Sequence, residues 1–309
     1  MLGRRRYANE PLDISSRRSI EIRSLPHAND DRIIVDYFYH LGEFWTAIIP
    51  LDSVRHIFGQ AFNFSKPKMR NGSNGPEIDV DQNGLPKRTI RSLNHVQCRF
   101  VMHDHASVQL FPLNEELDGE PSHELRDFVY SFEAVGPIGV KFNFRDAMTG
   151  NLISAHRILS TEEMVFERIV VEGQYVTESP ELPLKENEKK AALCECLKRS
   201  DRAGMSEVYY LFHLWKTNNC TSSSFQILDN VVNYSWKQRI GSLLYRFPLN
   251  PRFYLRIRGM DSEPSVKKLV RHEFDEFVGH PETQKRKRVY VRSKIKALRE
   301  AKKTREQDS

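Results

Sequence analysis

The order of the predicted elements constrains the fold of this chain most strongly. Alternating and β-branched segments that are typical of strands dominate before Phe144, for example SIEIRSL from Ser19 and DRIIVDYFYHLGEFWTAIIPL from Asp31. Helical patterns follow after Leu159. Strands that precede helices, instead of alternating with them, are typical of an α+β protein. We therefore expect an α+β fold, in which helices pack on an antiparallel sheet.

Several segments predict individual elements. The second half carries helical patterns in LSTEEMVFERIVVEG, PLKENEKKAALCECLKR and SEVYYLFHLWK, and the first of these opens with a Ser/Thr cap and acidic residues. In the first half, HVQCRFVM and ASVQLFPL are separated by a short turn, which predicts a β-hairpin. Residues 66–88 are rich in Asn-Gly and Gly-Pro breakers and predict an exposed excursion.

Composition bounds the class of protein. The chain has 309 residues, of which 39% are hydrophobic, and this is enough for a packed core. Its four cysteines show no spacing typical of a zinc site or a small disulfide framework, and Cys194 and Cys196 are too close for an easy mutual bridge. We expect reduced thiols, no bound metal and no cofactor. No apolar run follows the basic N-terminus and no stretch has 18 apolar residues, which predicts neither a signal peptide nor a transmembrane segment and favours the cytoplasm.

The positive charge is concentrated near the C-terminus. The formal net charge is +6, and residues 282–305 read ETQKRKRVYVRSKIKALREAKKTR. Such a run is typical of a solvated helix or an extension, and it also fits a contact with nucleic acid or an anionic membrane. A non-catalytic binding protein that uses this basic tail is therefore the alternative to an enzyme.

The stretch YYLFHLWKTNNCTSSSFQILDNVV, residues 209–232, carries the candidate nucleophile. Apolar residues recur at helical spacing after Cys220, which places this cysteine in the opening turn of a helix. The N–H groups and partial positive charge of a helix N-terminus stabilise a thiolate, so the pattern predicts a lowered thiol pKa. Asn218, Asn219 and Thr221 would line an oxyanion site. The same residues also fit a simple helix cap around a buried cysteine.

A nucleophilic cysteine needs a base, and His95 is the leading candidate. It opens a strand-like run, where a side chain is held rigidly near the rim of the sheet. Gln109, on the strand expected to pair with it, would fix the tautomer of the imidazole ring. Alternation places Cys98 on the opposite face from His95.

The other histidines have weaker patterns. His40 interrupts an apolar strand and is the alternative base. His103 and His105 flank a turn, and this His-x-His pair has no further ligand cluster with metal-site spacing nearby. His213 fits packing or capping in the segment before Cys220.

These residues together resemble a known family. NHVQCRF, ASVQL, the NNCT element and the later RFPLNPRFYLRIRGM are similar to the circularly permuted papain-like superfamily, in which the histidine precedes the cysteine. Within it, they most resemble the family that includes the periplasmic domain of the Lnb-type lipoprotein N-acyltransferase. The resemblance covers roughly residues 94–260 and leaves the N-terminal region and the tail outside.

The resemblance implies a mechanism and an organisation. Cys220 would be the nucleophile, His95 the base and Gln109 the third polar residue of an enzyme that forms an acyl-enzyme, as an amidase, protease or acyltransferase. Its substrate would be an acyl-containing peptide, lipid or lipoprotein, and the family relationship favours the cell envelope. The implied regions are a β-rich segment at 1–93, a permuted papain-like core at 94–262 and a basic tail at 263–309.

Overall fold

The computed structural model describes most of the chain. The described residues are 7, 10–25, 31–72, 75–81, 85–90, 93–115, 117–140, 142–212, 218–242, 250–261, 263 and 268–307. Within them, alternating β-branched and aromatic residues form the strands of the first half, and capped segments form helices in the second half. No helix in these ranges is both long enough and apolar enough to span a membrane.

The strands, numbered in chain order, are as follows. They are β1 (Glu21–Ser24), β2 (Arg32–His40), β3 (Glu43–Pro50), β4 (Val54–Asn63), β5 (Met69–Gly72), β6 (Gly75–Ile78), β7 (Asn94–Met102), β8 (Val108–Pro112), β9 (His123–Leu125), β10 (Asp127–Val135), β11 (Leu152–Ser160), β12 (Thr177–Glu181), β13 (Val208–Tyr209) and β14 (Lys268–Leu269).

The helices are numbered in the same way. They are α1 (Phe144–Thr149), α2 (Thr161–Val165, which continues as a π-helical segment, Phe166–Val171), α3 (Glu186–Ala203), α4 (Cys220–Val231), α5 (Trp236–Ser242), α6 (Pro251–Ile257), α7 (Val270–Glu273), α8 (Asp275–Gly279) and α9 (Pro281–Gln307).

Within the described ranges, twelve strands form one sheet in the order β14-β12-β4-β7-β10-β11-β2-β3-β8-β9, with β1 added to β2 and β13 to β11. The pairings are antiparallel except for the parallel contact of β11 with β2. Only Arg126 separates β9 from β10, so this part of the chain pairs with β8 on one side and with β7 on the other. The sheet therefore curls, and its distant strands approach each other.

The fold is α+β, with a large and mostly antiparallel sheet, as the sequence predicts. The sheet crosses the predicted boundary at residue 93, because β4 pairs with β7 along nine residue pairs from Val54 to Asn63. It also crosses the boundary at residue 262, because β14 pairs with β12. Strands from all three predicted regions thus share one sheet.

The two faces of the sheet carry different layers. One face packs on α3, α4 and α6 in the main core, which includes Phe100, Tyr130, Leu193, Phe225 and Leu255. The other face packs on α2, its π-helical continuation, α7 to α9 and their neighbours, around Phe62, Val129 and Phe166. Only side chains on the sheet face that packs on α4 can contact Cys220.

Two predicted elements are wrong in their pairing or type. The strands β7 and β8 exist, but they do not form a hairpin, because β8 pairs with β3 and β9 while β7 pairs with β4 and β10. The segment SEVYYLFHLWK does not begin a helix, since Val208 and Tyr209 form β13 against β11. Residues 213–217, including His213, lie outside the described residues.

The predicted excursion contains the separate β5–β6 hairpin, which is exposed along most of its length. Of the predicted helices, α3 forms from Glu186 to the end of its predicted segment and beyond it to Ala203, and α2 begins at the Ser160 cap.

Candidate functional site

Cys220 is the first residue of α4, as the sequence predicts. The helix begins there because Asn219 accepts a hydrogen bond from the Ser222 backbone N–H at 2.8 Å, while the Ser222 hydroxyl accepts the Asn219 N–H at 2.9 Å. The Cys220 side chain is directed into the protein rather than towards solvent, and the residue is only 2% exposed. The opening turn of α4 therefore presents its thiol to the sheet.

The two asparagines stabilise the approach to the helix. The Asn218 amide donates to the Val208 carbonyl at 2.8 Å, and the Asn219 amide donates to the Leu211 carbonyl at 2.7 Å. Because Asn219 is fully buried and its oxygen accepts the Ser222 N–H, its side chain is committed to the cap. Thr221 is also fully buried. In this arrangement, the oxyanion donors beside the sulfur would be backbone groups.

The thiol lies against the start of β7. Its Sγ donates to the carbonyl oxygen of Asn94 at 3.7 Å. Burial raises the pKa of the Cys220 thiol above its ordinary value, although backbone N–H groups of Val96 and Thr221 oppose this shift. The predicted lowered pKa is therefore wrong for this structure, because desolvation outweighs the helix N-terminus. The group is a protonated thiol near neutral pH.

His95 lies on the opposite face of the same strand. Its Nε2 is 2.9 Å from the Ser131 hydroxyl, which in turn donates to Glu133 at 3.2 Å. The Nε2 therefore carries the proton, and the ring also packs on Phe62 at a centroid distance of 4.8 Å. Successive strand residues point to opposite faces, so Asn94 and Val96 face α4 while His95 does not.

The electrostatic environment of His95 also differs from that of a base. Burial lowers the pKa of His95 to about 3, with a smaller opposing effect from Glu133. Arg157 and Arg168 bind the same Glu133 carboxylate oxygen, at 2.8 and 2.6 Å. His95 thus belongs to a buried ion-pair cluster beneath the sheet. The structure does not bring it together with Cys220.

Gln109 and the alternative base lie on other strands. Gln109 is on β8, opposite Ile48 and Glu124 of the neighbouring strands, and not on a partner of β7. His40 is buried, and its Nδ1 is 2.8 Å from the hydroxyl of Ser160, the cap of α2. Burial lowers the pKa of His40 to about 4, and His123 adds to this effect. None of these contacts places Gln109 or His40 next to α4.

The His103 and His105 rings stack on each other with centroids 5.4 Å apart. Across the described ranges, no group of three or more His, Cys, Asp or Glu residues is placed to hold a metal ion.

A cavity of about 290 Å³ lies next to the start of β7, and Cys220 itself does not line it, whereas Cys98 and Cys196 do. It is formed between the sheet and helices α3, α4 and α6, and its wall includes Asn94, whose carbonyl contacts the Cys220 sulfur. Ser224, one helical turn after Cys220, also lines it, and its buried hydroxyl has no hydrogen-bond partner within the described chain. Most of the remaining wall is apolar. The lining side chains include Ile57, Val96, Cys98, Phe100, Tyr130, Leu182, Leu184, Ala192, Cys196, Phe225, Ile227, Leu228 and Leu255.

Sequence reasoning missed a buried polar chain that ends at this cavity. The Tyr130 hydroxyl is 2.5 Å from His156 Nδ1, and His156 Nε2 is 3.1 Å from the Glu207 carboxylate. Because Nε2–H donates to the carboxylate, Nδ1 accepts from Tyr130. Burial lowers the pKa of His156 to about 4, although Glu207 opposes the shift. His156 follows an ordinary strand pattern, so no local signal in the sequence marks it.

A comparison of this chain with protein-family models, with curated proteins and with solved structures finds no match in any of the three.

Proposed function

We propose that this protein is a cysteine-dependent acyl-transfer enzyme, in which Cys220 accepts an acyl group from a ligand held in the adjacent cavity. The observation that carries the proposal is the contact of the Cys220 thiol with Asn94, a residue of the cavity wall. Cys220 does not itself line the cavity, so this contact at Asn94 is what connects a potential nucleophile to a space for a small, largely apolar molecule. The relationship to the permuted papain-like family stays a prediction.

The chemistry follows from the groups around the sulfur. The thiol loses its proton, Sγ attacks the acyl carbonyl carbon, and the alcohol, amine or phosphate of the donor leaves as the thioester forms. Backbone N–H groups of Val96 and Thr221 lie near the sulfur and favour the thiolate that attacks. Water or an amine then resolves the thioester.

The geometry assigns no base to this thiol. His95 lies on the other face of β7, and His156 is committed to Tyr130 and Glu207. We therefore propose that Cys220 reacts after its own ionisation in alkaline solution. The acylation rate then rises with pH, instead of following the neutral pKa of an imidazole base.

The test is the turnover of a chromogenic ester, p-nitrophenyl decanoate. The wild-type chain should release p-nitrophenol faster at pH 9 than at pH 7, Cys220→Ser should abolish the release above background, and the control Cys194→Ser should retain it. Cys194 is a suitable control because it is half-buried and, unlike Cys98 and Cys196, does not line the cavity. Equal release by Cys220→Ser and Cys194→Ser would reject the proposal.

A second function, binding of a polyanion, is favoured by α9. Its first half packs on the domain, since Arg286 binds Glu163 at 2.6 Å and Tyr290 meets the edge of Phe166 at a centroid distance of 5.8 Å. Further along, exposed cations at spacings of three or four residues form one row on the helix. The members of this row are Arg288, Arg292, Lys296, Arg299 and Lys303.

Such a row suits nucleic acid or an anionic membrane, in a role that needs no catalysis. Binding of an RNA or DNA duplex, or of anionic vesicles, should weaken steeply with salt and should be lost when residues 291–309 are deleted. The deletion leaves the anchoring contacts of Arg286 and Tyr290 in place. Unchanged binding after the deletion would reject this second function.

A further inference from the structure

The cavity between the sheet and helices α3, α4 and α6 is elongated. Its wall on β7 extends from Asn94 to Phe100, and on the paired strand β4 from Asn63 to Ile57. Six residue steps of roughly 3.3 Å give a length of about 20 Å. A volume of about 290 Å³ along such a wall is narrow. It suits one extended chain better than a broad ring system.

The far end of this space is apolar. Ile57 and Phe100 are paired across β4 and β7, and Leu182, Phe225 and Leu255 close the space around them. All five side chains are buried in the main core. An alkyl chain that enters this end removes apolar surface from water with each added methylene group.

The near end, where Asn63 is paired with Asn94, contains a cation. Arg88 lines the cavity, and its guanidinium donates to the Ser65 carbonyl at 3.0 Å and to the Gln174 side-chain oxygen at 3.3 Å. Both acceptors are neutral. Within the described chain, no carboxylate pairs with Arg88.

The other charged side chains that line the cavity have partners of their own. Asp81 accepts the Leu85 N–H at 3.0 Å, and Arg252 forms an ion pair with Asp261 at 2.6 Å. The Glu178 carboxylate is paired with Arg99 at 3.0 Å and with Lys268 at 3.1 Å. Arg88 is therefore the lining cation whose charge has no counter-ion among the described residues. A guanidinium in this state is suited to a carboxylate or a phosphate.

We propose that the cavity binds a single-chain anionic amphiphile, with its alkyl chain between β4, β7 and α4 and its carboxylate or phosphate group at Arg88. This deepens the proposed function and rests on it only for the statement that the acyl phosphate form of such a molecule, whose phosphate leaves as the thioester forms, is the acyl donor. Binding itself requires no reaction at Cys220. The near end of the cavity holds both Arg88 and the Asn94 contact of the thiol, so a bound donor would present the start of its chain towards the sulfur.

The test is calorimetric titration of the full chain carrying Cys220→Ser, which excludes acyl transfer. The probes are butyrate, hexanoate, octanoate and decanoate, with decyl phosphate and decan-1-ol as the phosphate and neutral counterparts of decanoate. Affinity should rise roughly fourfold per methylene group that enters the cavity. The comparison of decanoate with decyl phosphate distinguishes the two head groups.

Two variants locate the ligand. Arg88→Gln should weaken decanoate or decyl phosphate binding by roughly tenfold or more and should leave decan-1-ol binding unchanged, while Arg202→Gln should change neither. Arg202 is a matched control because its side chain is 62% exposed and paired with Glu195. Ala192→Phe should fill the space between α3 and the sheet and should abolish binding of every long-chain probe, provided that circular dichroism shows a folded chain.

Affinity that does not depend on chain length would overturn the inference, as would equal effects of Arg88→Gln and Arg202→Gln. The chain-length series and the comparison of Arg88→Gln with Arg202→Gln remain valid even when Ala192→Phe fails to fold. A failure of the proposed acyl-transfer function would be seen in a different experiment, the ester assay, as turnover that is retained in Cys220→Ser. Binding without turnover would thus uphold the ligand site and reject the reaction.

Discussion

The sulfur of Cys220 lies 3.7 Å from the carbonyl oxygen of Asn94, whereas the ring of His95, the next residue of the strand, lies on the opposite face of the sheet. Helix α4 packs on one side of β7, and the cluster around Glu133 packs on the other. The thiol therefore meets backbone groups and a cavity wall instead of an imidazole. This relationship determines the predictions for its reactivity.

Alkylation of Cys220 should be slow at neutral pH and should accelerate well into the alkaline range. Burial raises the thiol pKa above its ordinary value of 9.0, so little thiolate is present at pH 7. The measurement is the iodoacetamide rate at each cysteine against pH, followed by peptide mass spectrometry. A half-maximal rate at Cys220 below pH 8 would contradict the buried, protonated thiol.

Replacement of His95 should affect stability and leave the thiol reactivity unchanged. His95→Ala leaves the Ser131 hydroxyl without its donor and opens a space beside Phe62, so unfolding should become easier by about 1 to 3 kcal/mol. His95→Gln, which keeps an N–H donor, should cost less. Denaturant unfolding and the Cys220 alkylation rate are measured on the same samples. Loss of Cys220 reactivity in folded His95→Gln would show that the imidazole acts on the thiol.

Acid should destabilise the fold through His156. Its folded pKa of about 4 lies below the ordinary 6.5, so protonation favours the unfolded chain. The stability that depends on the neutral ring is present above pH 6.5 and is lost as the pH falls towards 4, by about 3 kcal/mol at most. Urea unfolding between pH 7 and 4 measures this loss.

His156→Asn removes the titrating ring. It should be less stable than the wild type at pH 7, because Tyr130 and Glu207 lose their partner, and it should show a shallower decline in acid. The same decline in both proteins would mean that other groups cause the acid effect.

The ion pair of Arg258 and Asp229 should stabilise the packing of α6 on α4. Arg258 is fully buried, donates to both Asp229 oxygens at 2.7 Å and lies 4.7 Å from the Phe225 ring centroid, so it joins the end of α6 to α4. Arg258→Ala removes the fully buried cation that pairs with the half-buried Asp229 carboxylate and should lower the unfolding free energy by about 3 kcal/mol. Arg202→Ala is the exposed control, and thermal and denaturant unfolding of both variants provide the comparison. An equally small effect of both substitutions would contradict this role.

The start of α4 could be predicted from the sequence because its signals are local. Asn219 and Ser222 form the expected cap, and apolar residues follow at helical spacing. Alternation in β7 also gave a correct local result, since Cys98 lines the cavity and His95 lies on the other face. Alternation along a strand assigns side chains to two faces. It does not, however, indicate on which face a helix will pack when that helix begins more than one hundred residues later.

The pairing of β7 was the other point that the sequence could not determine. The short turn after Met102 has the length of a hairpin, but β10 takes the place beside β7 that Val108 and its strand were expected to occupy. Strand order depends on contacts between distant segments and on packing of both sheet faces. Gln109 consequently lies away from the predicted site, and Arg88 and His156 acquire neighbours that no local pattern indicates.

If Cys220 is the nucleophile, an activated ester should acylate this residue. The wild-type chain is incubated with p-nitrophenyl decanoate at pH 9, quenched in acid and mapped by peptide mass spectrometry. We expect one decanoyl group on Cys220, retained in Cys194→Ser, absent in Cys220→Ser and removed by neutral hydroxylamine as expected for a thioester. Decanoylation confined to lysines or to another cysteine, with Cys220 unmodified, would contradict this role of Cys220.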